Sequence, residues 1–463
     1  MLWVHQQEAI EWADGRRDVL LWIGMGAGKT RTTLEIIKRM MIDGSIRRIL
    51  VGCPKAVMPA WKKQAAMWLP EIRVLLLDRG TSADKGRMLA AALSDTRPII
   101  VVGNYESLWR IKEIEKLTWQ CLVWDEVHRL KSPSGAASKW AAKMGKKNPT
   151  AKRIGLSGTL LAQSPLDAYG TWRAVESPEC TTFGTTYTLF KATYAITNPA
   201  IPGMVIGWRN KEQFAARVAA TTFQRKSEDV LDLPPIHHVE VPVEMTVKEG
   251  KVYVQLEKDF CAEVDGGFIT PANAMVGLLR MLQATSGYMR LDDTASARQI
   301  DDVPSKRAAF ADLLEDMPAD QPLVVFCRFR SDIDSVLYAC DQLGRTVSEL
   351  SGKINNLAAW QAGETSVLVA QIQSGGIGID LTRASVGVFF SLGHSLSEWL
   401  QAIARLHRPG QTRHTRFFSL VAQLHGKTTA DGRVYSALSD RKEVINAICT
   451  GYSTRQHAVV DRA

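Results

Sequence analysis

Val19-Leu20-Leu21-Trp22-Ile23-Gly24-Met25-Gly26-Ala27-Gly28-Lys29-Thr30 joins a short apolar run to a glycine-rich turn and a Gly-Lys-Thr triplet, and the helical pattern Thr32–Met41 follows. A short apolar run closed by glycine reads as a buried strand. Strand, glycine turn and helix is the context in which Gly-Lys-Thr has a mechanism. The glycines let backbone N–H groups approach phosphate oxygens, and the helix N-terminus adds its dipole. Met25, Gly26, Ala27 and Gly28 would line the phosphates, Lys29 would reach the β/γ positions, and the Thr30 hydroxyl would ligate Mg²⁺. Ile23 stands where the full pattern has its first glycine, so the motif rests on its setting.

Working outward, further β-rich runs occur at Arg48–Gly52, Ile99–Val102, Cys121–Trp124 and Arg153–Leu156, separated by helical patterns. That alternation predicts a parallel sheet in an α/β lobe over 1–163. From 164 to 300 the alternation fades, and helical windows Lys211–Ala220, Lys248–Phe260 and Ala272–Ala284 predict a mainly helical insertion. The alternation returns over 301–463, at Pro322–Cys327, Thr346–Leu350, Ser366–Ala370, Val386–Ser391 and Arg416–Val421. The expected fold is therefore α/β, with two parallel-sheet lobes flanking a helical middle.

The chain has 463 residues, 46% of them hydrophobic and 23% charged, which suits folded domains and excludes dominant disorder. A net charge of +9 favours a polyanionic partner. The seven cysteines are scattered singly, without Cys-x-x-Cys pairs, which argues against a disulfide framework or a zinc module. No apolar run is long enough for a membrane span, and the first residues lack a basic head and apolar core, so neither membrane nor export signal is expected. The expected location is the cytoplasm, at the nucleoid or in a phage-infected bacterium.

Asp125-Glu126-Val127-His128 begins directly after the apolar run Cys121–Trp124. A nucleoside triphosphatase needs one carboxylate at a strand end for Mg²⁺ and a second to polarise water, and Asp125 and Glu126 fit those roles in that order. His128, with Ser157-Gly158-Thr159 at the next strand end, is placed to couple the nucleotide site to the other lobe. In the second lobe, Gln401–Gln411 carries Arg405 and Arg408 three apart, read as one helical face stopped by Pro409-Gly410. Guanidinium groups there would stabilise the charge that builds on a transferring γ-phosphate. Upstream, the glycine-rich stretch Ser374–Asp380 could approach a phosphate or ribose, through Gly378 and Asp380.

With these pieces in order, the chain resembles the Swi/Snf-type DNA translocases of helicase superfamily two from about residue 1 to 442, most closely compact phage or bacterial members. Gln6-Gln7-Glu8-Ala9-Ile10-Glu11-Trp12 resembles the family's adenine-reading segment, with Gln6 at the glutamine position. Met25–Thr30 is similar to motif I, Asp125–His128 to motif II and Ser157–Thr159 to motif III. Cys53-Pro54 with Trp61 resembles motif Ia, and Asn104-Tyr105-Glu106 resembles motif Ib. The resemblance places Pro54, Asn104 and Tyr105 along the nucleic-acid path. Arg225–Pro234 looks like the family's basic stretch ending in Leu-Pro. Val324–Phe329 is similar to motif IV, Ser374–Leu381 to motif V and Gln401–Gln411 to motif VI, with Gln401 among its coupling residues. Gly24 stands where the family usually carries an acidic residue.

The resemblance implies two RecA-like lobes, ATP and Mg²⁺, and a DNA-dependent ATPase that moves along DNA, expected to be duplex. Trp109 and Trp119 could stack on bases, with core packing the expected fate of most of the 13 tryptophans. Two alternatives stay open in the sequence: a strand-separating DNA or RNA helicase, and a nucleotide-gated DNA clamp that does not hydrolyse. Biological process, polarity and oligomeric state leave no trace in the residues.

Overall fold

Strand β1 (Asp18–Ile23) shows why the first sheet forms. Val19, Leu21 and Ile23 point into one apolar layer with Val51, Val123, Ile154 and Leu156. Leu20 and Trp22 point into the opposite layer with Leu50, Leu122, Trp124 and Trp140. A strand buried on both faces must be covered by helices on both, which is the condition for a parallel sheet. Each fully buried large side chain contributes roughly 1.5–3 kcal/mol.

The computed structural model describes residues 2–44, 46–161, 164–199, 205–265, 271–289, 297–372 and 379–440. The chain divides into two compact units, Met1–Leu231 and Asp232–Glu443. In the first, β1 joins β2 (Arg48–Cys53), β3 (Arg73–Leu76), β4 (Ile99–Asn104), β5 (Cys121–Asp125) and β6 (Lys152–Ser157). A hairpin of β7 (Ala195–Thr197) and β8 (Val205–Trp208) stands apart, and β9 (Thr222–Arg225) closes the sheet in the order β3-β4-β2-β5-β6-β1-β9. All its strand pairs are parallel.

The second unit begins with β10 (Ile236–Glu244), followed by the two-stranded β11 (Tyr288–Met289) and β12 (Arg298–Gln299). Its main sheet adds β13 (Leu323–Cys327), β14 (Val347–Leu350), β15 (Val367–Gln371), β16 (Val386–Phe389) and β17 (Thr415–Leu424), in the order β10-β17-β16-β13-β15-β14. These pairs are parallel, and only the two-residue β18 (Lys427–Thr428) runs antiparallel, against the end of β17. On one face Phe326 and Phe389 stack at 5.2 Å and Phe389 and Phe417 at 5.7 Å. The other face packs Val325, Val369 and Val388 against Phe310, Ile333 and Val336.

The described residues between 164 and 300 are mainly helical, in Asp167–Glu176, Tyr187–Tyr194, Lys211–Thr221, Ser227–Val230, Val247–Asp265 and Pro271–Ala284. Boundaries at 163/164 and 300/301 are not where the packing divides, however. Strand β9 pairs with β1 and β10 pairs with β17, so the middle of the chain is shared between the units and the division falls at Leu231/Asp232.

One buried ion pair holds the end of the second unit. Lys306 Nζ lies 2.5 Å from Asp431 Oδ2 and donates to Phe390 O at 3.0 Å, with both side chains almost fully buried. Asp431 Oδ2 also accepts from Ala422 N at 3.1 Å. Removing one partner leaves an uncompensated buried charge. Asp431→Ala is therefore expected to destabilise this unit by about 3–5 kcal/mol in urea unfolding; a loss below about 1 kcal/mol would show the pair to be dispensable.

Candidate functional site

The turn after β1 is built by left-handed glycines: Gly26 has φ +79° and Gly28 φ +82°. Gly28 has a second constraint, because a Cβ there would lie 2.2 Å from Gln6 Nε2. Helix Lys29–Ile42 starts directly after it, with its first N–H groups facing the turn. Lys29 Nζ donates to Ile23 O at 3.2 Å and Gly24 O at 3.4 Å, so the ammonium lies over the mouth of the turn. Gln6 is buried at the start of helix Val4–Ala13, where its Oε1 accepts from Trp3 N and its Nε2 donates to Gly28 O at 3.4 Å. His5 Nε2 meets Ala27 O at 2.9 Å, and since a carbonyl only accepts, that nitrogen carries the proton. The segment expected to read adenine is thus bonded to the phosphate turn.

Asp125 ends β5 and is buried. Its Oδ2 accepts from Trp61 Nε1 at 2.8 Å and its Oδ1 from Glu126 N at 3.0 Å. Burial and the adjacent Glu126 carboxylate push Asp125 up to about 6, against the pull of Trp61 and Lys29. Glu126 sits in the left-handed region at φ 52°, costly for a residue with a Cβ. Its Oε2 is buried without a hydrogen-bond partner among the described residues, 3.3 Å from His128 Nδ1. His128 Nδ1 meets Ser157 Oγ at 2.9 Å, and Ser157 Oγ accepts from Thr159 N at 3.0 Å. Burial first, then the Arg129, Lys131 and Lys29 charges, holds His128 down at about 3, so it is neutral at pH 7. His128, Ser157 and Thr159 thus form a hydrogen-bonded chain between the ends of β5 and β6. Gly158 is required beside it, because a Cβ there would come within 2.9 Å of Met25 Cγ and 3.5 Å of Lys29 Nζ.

No group of three or more His, Cys, Asp or Glu among the described residues is placed to hold a metal alone. A divalent ion that takes one or two carboxylates and the rest of its shell from phosphates and water fits this site better. Asp125, raised by burial and then by its carboxylate neighbour, is the donor such an ion would need.

In the second unit, helix Leu396–Leu406 is capped by Ser395 Oγ, which accepts from Glu398 N at 3.3 Å, and carries Gln401 and Arg405. It ends two residues earlier than expected, so Arg408 lies in the following turn and not on the helical face of Arg405. The cause is Pro409, which removes a backbone donor and disfavours helical geometry at Arg408, with Gly410 at φ 103° completing the turn. Arg408 donates to Ile379 O at 3.1 Å, and Gln411, buried, donates to Thr382 O, Ala384 O and Leu406 O. Asp380 Oδ1 accepts from Thr382 N and Oγ at 3.0 and 2.8 Å. Burial raises Asp380, but those bonds and the Arg408 and Arg405 charges more than offset it, leaving it below the usual carboxylate value. Gly378 lies outside the described residues.

The expected nucleic-acid residues divide. Asn104 is half-buried and its Nδ2 donates to Glu106 Oε2 at 2.9 Å. Tyr105 is a correction: it is only 3% exposed and its hydroxyl donates to Asp125 O at 2.8 Å, so it braces the carboxylate turn. Trp61 does the same from motif Ia. Pro54 is buried and starts the turn Lys55–Val57, whose Lys55 is exposed. Trp119 is a core residue, 1% exposed with its indole bonded to Ile114 O, while Trp109 is exposed beneath the Arg110 guanidinium. An indole or phenol near a strand end gives no sequence signal of whether it braces a carboxylate or meets a base.

Comparison with known proteins identifies the family. The SNF2-related domain matches residues 5–285, and the helicase conserved C-terminal domain matches residues 305–410. The first of these covers more than half of the chain, which therefore belongs to the SNF2-related family: helicase-like, DNA-dependent ATPases that move along DNA. Protein p41 of Acyrthosiphon pisum secondary endosymbiont phage 1 is 27% identical over 415 residues, 86% of each chain. The ISWI chromatin-remodeling complex ATPase ISW1 of Saccharomyces cerevisiae is 22% identical over 432 residues, covering 86% of this chain but 36% of the yeast protein. The SWI2/SNF2 ATPase core of Sulfolobus solfataricus in complex with dsDNA aligns with a TM-score of 0.45 and 20% identity, covering 91% of this chain and 88% of that one. Among the described residues no helix is long and apolar enough to cross a membrane.

Proposed function

We propose that the chain is a motor on duplex DNA in which ATP hydrolysis needs groups from both units. The buried Asp125–Glu126 turn in the field of Lys29 supports this most strongly, because it supplies an acid pair and a cation beside a glycine turn. Gln6 reads adenine, Met25 to Thr30 cradle the phosphates, and Glu126 orients the attacking water and takes its proton. Thr30 and Asp125 are the residues to hold Mg²⁺, which neutralises phosphate charge when bound. Arg405 and Arg408 stabilise the charge that develops on the transferring phosphoryl group, and Gly378 and Asp380 meet the nucleotide. His128, Ser157, Gly158, Thr159 and Gln401 couple that chemistry to movement. Asn104 and the Lys55 turn contact the DNA backbone.

Contacts of this kind go to phosphate, so binding should be independent of sequence and fall with salt. Log affinity for duplex DNA is expected to fall linearly with log salt, with a slope of about −0.9 for each phosphate neutralised. A flat profile in a fluorescence-anisotropy titration would show that backbone charge does not drive binding. The activity itself is tested by ATP hydrolysis with duplex DNA, single-stranded DNA and RNA as stimulants. Duplex DNA should stimulate most; equal rates with and without any of the three would contradict the reading.

A further inference from the structure

Within the first unit, the segment that leaves for the second is bonded to the phosphate turn. Gly24 N donates to Arg225 O at 2.8 Å at the end of the β1–β9 pairing, and Ser227 Oγ donates to Met25 O at 2.9 Å. A Cβ at Gly24 would lie 2.2 Å from Ser227 Oγ, so the acidic residue usual in the family has no room here. Arg225 also reaches back to Glu8 Oε2 at 2.7 Å, on the helix that carries Gln6. The segment stays anchored through Leu231, whose N–H donates to Ser227 O and whose side chain packs against the layer containing Ile23 and Ala27.

Within the second unit, the same segment is bonded to the arginine-bearing turn. His407 Nε2 donates to Pro234 O at 2.7 Å, the carbonyl fixing which nitrogen holds the proton. Pro235 O then accepts from Thr415 N, and β10 pairs with β17 from Ile236 onward. Only Asp232 and Leu233 lie between the two anchored ends. Leu233 precedes a proline, which holds it extended, and two successive prolines fix their own φ. The joint is short and stiff.

We propose that Arg225–Pro234 is a strap that passes the state of the phosphate turn to Arg408, with Ser227 and His407 as the positioning residues at its two ends. This rests on the motor reading above. A shift of the turn on nucleotide binding moves Ser227, and a joint with so few soft dihedrals carries that movement to Pro234 and hence to the residue next to Arg408. A flexible joint would lose it.

The test inserts Gly-Ser-Gly-Ser between Asp232 and Leu233 in the full chain and compares ATP affinity, KM and DNA-stimulated kcat with wild type. ATP affinity and KM should stay within about twofold while kcat falls at least tenfold. Independently, His407→Leu should lower kcat at unchanged KM, and His407→Gln, whose amide can donate to the same carbonyl, should recover at least half of the loss. An insertion variant with wild-type stimulated kcat, or a His407→Gln no better than His407→Leu, would overturn the strap alone. A wild-type chain with no DNA-stimulated hydrolysis would overturn the motor reading and the strap with it.

Discussion

Glu126→Gln is expected to bind ATP within about threefold of wild type and to hydrolyse it about 10²–10⁴ times more slowly, the span that general-base catalysis commands. Glutamine keeps the shape of the side chain but cannot accept the proton of an attacking water. The atom whose loss matters is Oε2, buried and without a hydrogen-bond partner among the described residues, on a residue held at φ 52°. Lys29→Ala should differ in kind, losing ATP affinity as well as turnover, because its ammonium lies over the phosphate turn. Single-turnover hydrolysis and equilibrium binding of labelled ATP separate the two effects. A Glu126→Gln enzyme within tenfold of wild type in the chemical step would show that another group activates the water.

Arg408→Ala is expected to retain ATP binding and lose about 10³–10⁵ in turnover, the range found when an arginine that stabilises phosphoryl-transfer charge is removed. The loss should fall on kcat and kcat/KM alike, since an interaction made only in the transition state affects both equally. Arg405→Ala, one turn earlier on the helix, should lose less than Arg408→Ala if the non-helical turn is what frees Arg408 to reach the phosphate. Arg408→Lys should recover little, because a point charge does not replace a planar fork. An Arg408→Ala variant that raises KM at unchanged kcat would make Arg408 a binding residue only.

Much of the fold was legible because buried parallel strands announce themselves as short apolar runs closed by glycine or polar residues. The phosphate turn and the carboxylate pair were legible for the same reason, since each sits directly at a strand end. In the two main sheets, besides the two-residue β18, three strands gave no such signal. Strand β3 is a four-residue edge strand, half-buried throughout. Strand β9 follows helix Lys211–Thr221 without an intervening turn residue. Strand β10 carries His237, His238, Glu240 and Pro242, and a proline inside a run argues against a strand. It is tolerated because β10 lies at the sheet edge with β17 as its one partner in that sheet, so the missing donor costs no ladder bond to a second strand. Strands β9 and β10 are what divide the middle of the chain between the compact units.

The supporting contacts were illegible for another reason. Trp61 and Tyr105 brace Asp125 from far along the chain, and His407 meets Pro234 across 173 positions of sequence. Such partners follow from topology, and local pattern carries no record of them. The helix end before Arg408 was readable in principle, since the residue ahead of a proline is pushed out of helical geometry.

The affinity for ADP–aluminium fluoride, a mimic of the transferring phosphoryl group, probes most directly whether hydrolysis draws on both units. In the presence of duplex DNA, wild type should bind it at least 100-fold more tightly than Arg408→Ala does, while the two bind ATP alike. Equal affinity for the mimic in both proteins would mean that the phosphate turn and its carboxylates work without the second unit's arginines, and the need for groups from both units would be contradicted.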